Sequence, residues 1–473
     1  MVILIKTLQV IAALSLLIIL HEGGHFLFAK LFKTRVEKFY LFFDYKFHLF
    51  STYDRWFRRL LGKPAAKKKE NGEYEYEGTE YGIGWIPLGG YVKIAGMIDE
   101  SMDLEQMKQP AKAYEFRTKP AWQRLLIMLG GIIVNFIAAF VIYALVLFTW
   151  GESFIRPADM TYGMKFSEQA KADGFRDGDI ILGVDDKTFD DWQTANLRAI
   201  ANGHEAHVLR DGQEITIALP DNQSLLDMLE EPRYADMLIP SSIDSVLPGS
   251  TADKLGLQKG DRIVNLNGKA LADHNELTYA VAELAATLSD ESTHADSLRA
   301  RTVCVGIIAN NTDSVVTKQA VLDANFMFGF TNAIPDYKVS ERHYSFLASF
   351  PAGVRYGIGV LSGYVNDLKY VFTKKGARSV GGFIAIGNIF PATWSWYKFW
   401  MLTALLSIML GFMNVLPIPA LDGGHALFAI FEICTGRKPS DKFLERAQYV
   451  GMFFLLGLLL FANLNDILRI FGI

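Results

Sequence analysis

Cysteine is nearly absent. The 473-residue chain carries two, Cys304 and Cys434, so a disulfide framework is excluded. Charge of one sign is missing as well. Lys and Arg number 47, Asp and Glu 51, for a net charge of −4. That balance excludes the basic surface nucleic-acid binding demands, and no nucleic-acid partner is expected. No small-residue cleavage site follows the N-terminal apolar run, which therefore reads as a retained membrane helix and not a removed signal peptide. Nor is there an inverted repeat of interrupted apolar segments, which disfavours an ion transporter.

Long hydrophobic runs are what the chain does have. They lie near 3–29, 124–150, 399–433 and 447–468, each long enough to cross ~30 Å of hydrocarbon as a helix. Spans are expected over 1–32, 121–150, 399–433 and 447–468. The loop 33–120 holds Arg55, Arg58, Arg59 and Lys67 to Lys69, and the short loop after the third span holds Arg437, Lys438, Lys442 and Arg446. Basic residues near span ends mark the cytoplasmic side. The polar block 151–398 and both termini then face the other side, and Cys304 and Cys434 are separated by the membrane. The fold class expected is a polytopic α-helical membrane protein with four transmembrane helices, a membrane-associated β element and two extracytoplasmic α+β domains.

The β element is EYGIGWIPLGGYVKIAGM (80–97), rich in β-formers and broken by glycine and proline, a pattern for a hairpin or bent sheet. Non-helical backbone at membrane depth requires protein or a wet cavity around it. In the second span, Gly130 and Gly131 suit close helix packing, and the Asn135 amide can hold a neighbour. In the polar block, DGFRDGDIILGVDDKTF (173–189) is echoed by LGLQKGDRIVNLNGKAL (255–271). The repeat resembles two PDZ domains, over 151–222 and 236–325, although neither copy shows a carboxylate-loop signature. PDZ domains add a peptide strand to a sheet edge and capture its C-terminus. The region 326–398 is expected to be extracytoplasmic, its aromatic, Gly-rich end leading to the third span at the membrane boundary.

The chemistry concentrates in IILHEGGHFLFAK (18–30). HExxH on a helix sets two imidazoles at i and i+4 on one face, where both reach one Zn²⁺, with the glutamate suited to act as base. A catalytic zinc takes a third protein ligand. His48 and His425 qualify by type. Asp422 is favoured, because it lies in a membrane span beside the Pro417 and Pro419 break in NVLPIPALDGGH (414–425). His21 and Asp422 both approach the cytoplasmic half of the bilayer. Cys434 lies too far along. The reading is a zinc hydrolase; the alternative is a non-catalytic zinc-binding PDZ scaffold, which has no need of Glu22.

HEGGH, GWIPLGGYVKIAGM, the tandem PDZ-like insert and NVLPIPALDGGH together resemble the site-2 protease family, and within it the bacterial regulator-of-sigma-E type. The resemblance implies an intramembrane zinc metalloprotease of a bacterial inner membrane, its PDZ domains periplasmic. His21, His25 and Asp422 would hold zinc and Glu22 would be the base. Asn414, Pro417, Pro419 and the β element with Gly89, Gly90 and Tyr91 would bind substrate. Substrates would be single-pass membrane proteins already cut once, anti-sigma-factor-like proteins or remnant signal peptides. The chain departs from the family pattern at Ile132 and Phe383, where proline is common, and in 51–78, which reads as an insertion.

Overall fold

The computed structural model describes residues 2–60, 67–68, 74–75, 78–87, 89–97, 110–193, 196–221, 223–289, 292–333 and 337–471. Lys69, Leu88 and much of the expected insertion 51–78 lie outside the described residues. The chain divides into two compact units, one of Met1–Gly151 with His343–Leu468, the other of Glu152–Arg342 with Arg469–Ile473.

The first unit is helical. Among the described residues, four helices are long and apolar enough to span a membrane: α1 (Val2–Leu31), α2 (Ala121–Trp150), α5 (Trp396–Val415) and, within α7 (Asp441–Ile470), the stretch Lys442–Ile470. Shorter helices of the same unit include α3 (Phe346–Asp367), α4 (Phe383–Ile389) and α6 (Asp422–Thr435). Helix α2 is the hub, packed against α1, α3, α5 and α6. Its approach to α1 needs glycine on both sides. A Cβ on Gly24 would lie 2.2 Å from the Gly130 carbonyl oxygen, and one on Gly130 would lie 2.6 Å from that of Gly24.

Two expectations are revised here. The run 399–433 is not one helix. Helix α5 stops at Val415, and α6 starts at Asp422. Pro417 and Pro419 lack the N–H a continuing helix needs and push the residues before them to extended backbone. The region 326–398 is also not wholly outside the membrane unit, since α3 packs along α2. Its polar and glycine content masks it in the sequence, yet glycine lets it approach: a Cβ on Gly353 would meet Ala144 at 2.4 Å. Helix α7 is stitched to the segment before α5, with Asp466 Oδ2 accepting from the N–H groups of Gly382, Ile384 and Ala385.

The β element is a bent four-stranded sheet and not a hairpin. The strands are β1 (Val36–Leu41), β2 (Phe50–Ser51), β3 (Glu80–Ile83) and β4 (Tyr91–Ile94), in the order β2-β3-β1-β4. Strand β1 lies between the two expected strands, parallel to β3 and antiparallel to β4, with Tyr40 opposite both Gly82 and Tyr91. Strand β4 is therefore an edge.

The second unit repeats one design twice. Strands 180–184, 187–188, 205–210 and 213–218 form a sheet whose order matches that of 262–266, 269–270, 302–308 and 315–321. In each copy the Gly-Asp motif buries its aspartate to tie a turn. Asp179 accepts from the Arg176 N–H and from Arg210, and Asp261 accepts from the N–H groups of Gln258 and Asn310. Cys304 and Cys434 are both free.

Lys165 joins the two copies. Its side chain is 4% exposed, and the ammonium lies 2.8 Å from Asp177 of the first copy, and 2.8 Å and 2.6 Å from Asp273 and Glu276 of the second. Burial opposes its charge, but the three carboxylates outweigh that and hold its pKa above the ordinary lysine range. Burial likewise opposes ionisation of Asp177 and Glu276, and Lys165 outweighs it and holds both carboxyls below theirs. A carboxyl depressed by folding contributes stability above its unfolded pKa of about 4, which is lost as pH falls through the folded value. Lys165→Met should cost the second unit roughly 3 kcal/mol at neutral pH. Hydrogen exchange of residues 164–166 in the full-length protein should show that deficit shrinking below about pH 4; a deficit independent of pH would contradict the ion-pair account.

Candidate metal centre

Helix α1 carries His21 and His25 one turn apart, so both imidazoles leave the same face. Their rings meet edge-on, centroids 4.8 Å apart at 85°, and their Nε2 atoms are 3.3 Å apart. Asp422 enters from the first position of α6. Its Oδ2 lies 3.2 Å from His21 Nε2 and 3.3 Å from His25 Nε2. That oxygen is buried and has no hydrogen-bond partner.

Three donor atoms thus form a nearly equilateral triangle inside the membrane unit. Ligands at ~2.0–2.2 Å from a tetrahedral zinc are about 3.3 Å apart, which matches each edge. Two imidazoles and a carboxylate, three donors among the described residues, are also the ligand set of a catalytic zinc rather than of a four-ligand structural one. The residues present fit the ion.

Helix α2 prepares the ligands from behind. The Ile127 carbonyl lies 2.8 Å from His25 Nδ1 and accepts its proton, leaving the Nε2 lone pair for a metal. The Asn135 amide, fully buried, lies 3.1 Å from His21 Nδ1. Its Oδ1 has no other partner, and a half-turn of the amide lets that oxygen accept from Nδ1–H and free the second lone pair in the same way. The Asn135 carbonyl in turn accepts from Ser407 Oγ of α5 at 2.7 Å. Gly131 floors the site. A Cβ there would lie 2.5 Å from His25 Nε2 and 2.7 Å from His21 Nδ1, so any side chain displaces the imidazoles.

Glu22 follows His21 directly, and the Val92 backbone N–H of β4 donates toward its carboxylate. Asn414, near the end of α5, places its amide 3.3 Å from His21 Nε2, on the metal side of that ring. Pro417 and Pro419 form the loop between α5 and α6. Ala420 in that loop has φ 78°, a conformation uncommon outside glycine. Gly89, Gly90 and Tyr91 lie outside the triangle, at the start of β4. A Cβ on Gly90 would touch Ile18 of α1 at 2.5 Å, and Tyr91 stacks on Tyr40 and Phe43 and donates to Asp44.

The other candidates are elsewhere. His48 pairs with Asp54 at 2.9 Å, and neither His425 nor Cys434 belongs to a cluster of metal-binding donors among the described residues. The second acidic group, Asp177, Asp273 and Glu276, encloses the Lys165 ammonium. Sequence reasoning missed Ile127 and Val92, which act through backbone atoms, and gave Gly130 and Gly131 the same packing role. The available signal was the spacing of Gly131 and Asn135, which puts a small residue and an amide on one helical face.

The sequence profile of Peptidase family M50 matches residues 54–458. "Protease RseP" of Yersinia pestis is 30% identical over 494 residues, covering 97% of this chain and 98% of that protein. A "Putative zinc metalloprotease" of Vibrio cholerae is 27% identical over 492 residues, covering 97% and 98%. The profile match begins after α1, but alignments of this extent include it. The chain belongs to Peptidase family M50, the site-2 proteases, a family of membrane zinc metalloproteases.

Proposed function

We propose that this protein hydrolyses a peptide bond within the transmembrane segment of single-pass membrane proteins, with His21, His25 and Asp422 holding zinc and Glu22 as general base. The observation that carries the reading is the ligand triangle, two of its corners on a helix long and apolar enough to span a membrane, with the Glu22 carboxylate one residue from the first of them. A bound zinc would polarise the scissile carbonyl and lower the pKa of its water toward ~7. Glu22, oriented by the Val92 N–H, takes the proton of that water and delivers it to the leaving amine.

A helical substrate hides its carbonyls in its own hydrogen bonds. The edge strand β4 supports strand addition, which would hold the segment extended beside α1. Gly89 and Gly90 let the chain turn against α1 at the start of that strand, Tyr91 fixes it through Asp44, and Asn414 stands where it can donate to an extended backbone. Pro417 and Pro419 keep the opposite wall non-helical.

In this reading the protein sits in a bacterial inner membrane with the metal toward the cytoplasmic half. The two repeats are periplasmic PDZ-like domains that exclude uncut substrates or take a newly made C-terminus. The second copy supports the latter: the N–H groups of Phe328 and Gly329, just before strand Phe330–Asn332, have no acceptor among the described residues. Substrates would be stubs left by an earlier cleavage, such as anti-sigma-factor-like proteins or remnant signal peptides.

Glu22→Gln should keep about one zinc per chain and lose at least 10²–10⁴-fold in cleavage of a detergent-solubilised single-span substrate. Zinc analysis and cleavage measured on one preparation test this, and residual cleavage near wild type would sink the base assignment. Asp422→Asn should separate from it by losing metal and cleavage together. If Asp422→Asn retained full zinc, Asp422 would be no ligand and the triangle would need another explanation.

A further inference from the structure

We infer that the ion pair between Arg124 and Glu432 is a positioning device for Asp422, and through it for the metal centre; the inference rests on the zinc reading of that centre. Arg124 lies in the first turn of α2. Its Nη2 lies 2.6 Å from Glu432 Oε1, with side chains only 11% and 21% exposed. The guanidinium is also tied to the segment just before its own helix, its Nε donating to the Lys119 carbonyl at 3.1 Å. The second Glu432 oxygen is buried without a hydrogen-bond partner, so Arg124 is the cation that balances this carboxylate.

Glu432 stands in the last turn of α6, and Asp422 is the first residue of the same helix. At ~1.5 Å per residue the two are about 15 Å apart along one rigid rod. At its Asp422 end the rod is not continuous with α5. No helical hydrogen bonds run from α5 into α6 across the loop of Pro417 and Pro419, and Ala420 in that loop has φ 78°. Pivoting a rod of this length by about 4° moves its tip ~1 Å, which a metal site held to ~0.5 Å does not tolerate.

The anchor point gives the pair its consequence. Arg124 lies on the helix whose Ile127 carbonyl orients His25, whose Gly131 floors both imidazoles and whose Asn135 faces His21. Arg124 and Ile127 are within one turn of each other. A single helix therefore sets the two imidazoles directly and the carboxylate remotely, across 308 residues of sequence.

The test uses full-length protein in detergent, with Glu432→Gln, Arg124→Met and the exchanged pair Arg124→Glu with Glu432→Arg. Zinc affinity is read by competition with a chromophoric chelator, and ligand geometry by the visible spectrum of the cobalt(II)-loaded protein. Each single variant should lose about 10-fold in zinc affinity and alter the cobalt bands, while the thermal transition of the metal-free Glu432→Gln protein stays close to wild type. The exchanged pair should recover both readouts. Wild-type affinity and spectrum in both single variants would overturn the inference, and so would an exchanged pair no better than the single variants. An equal loss of thermal stability without metal would overturn it too, by making the pair merely structural. Wild-type protein that takes up no zinc would instead bring down the zinc reading itself.

Discussion

An imidazole or carboxylate stripped of water inside a membrane span has to be compensated by something other than solvent. That constraint organises the membrane unit. His21, His25 and Asp422 turn their donor atoms toward one another, an arrangement that without a cation would leave Asp422 Oδ2 buried and unpartnered. The outer nitrogens of the two imidazoles are answered by α2, through a carbonyl and an amide. The close contact of Gly24 with Gly130 brings α1 near enough for those bonds to form. Bulk at either glycine would separate the helices and, with them, the imidazoles from their partners.

The sheet meets the same constraint differently. Its backbone groups are shared between β1 and its neighbours, but among the described residues β4 has a neighbour on one side only. An unpaired edge is a liability in water and a larger one near lipid. Here the edge strand lies beside α1, with Val92 turned toward Glu22. The strand that lacks a second partner among the described residues is thus the strand next to the proposed base. Under the proposed function, a substrate that must be unwound before it can be cut would supply what that edge lacks, and the unmet hydrogen bonds of the two would satisfy each other.

The parts of this architecture that could be read from the sequence are those with a local physical signature. His21, Glu22 and His25 stand out because polar groups interrupt an apolar run, and Asp422 because two prolines precede it. The repeated Gly-Asp turns announce the two copies of the second unit. What could not be read depends on distant partners or on backbone atoms. Strand β1 separates β3 and β4, and nothing in Val36–Leu41 advertises that register. Helix α3 is interrupted by glycine and proline, and shows its purpose only once Gly353 meets Ala144. Ile127 acts through its carbonyl, which every residue has. Gly131 is indistinguishable from Gly130 until the imidazoles are placed above it. Arg124 and Glu432 each read as a charge near a span end, and only the packing of α6 on α2 joins them.

Charge accounting connects these details. Two imidazoles with their outer nitrogens protonated are neutral, so the ligand set contributes one negative charge through Asp422. A divalent cation there would leave one positive charge in a region of low dielectric. The carboxylate form of the adjacent Glu22 would bring the cluster to zero. The carboxylate suited to act as base is also the one that neutralises the site, and a third imidazole in place of Asp422 would leave the same cluster positive. Arg124 and Glu432 form a second neutral pair within the same unit, and Asp466 is met by three backbone N–H groups. Each of these charges is placed where a rigid element answers it. The metal cluster alone has three protein donors among the described residues for an ion that takes four, and the fourth place is where a substrate carbonyl would have to enter.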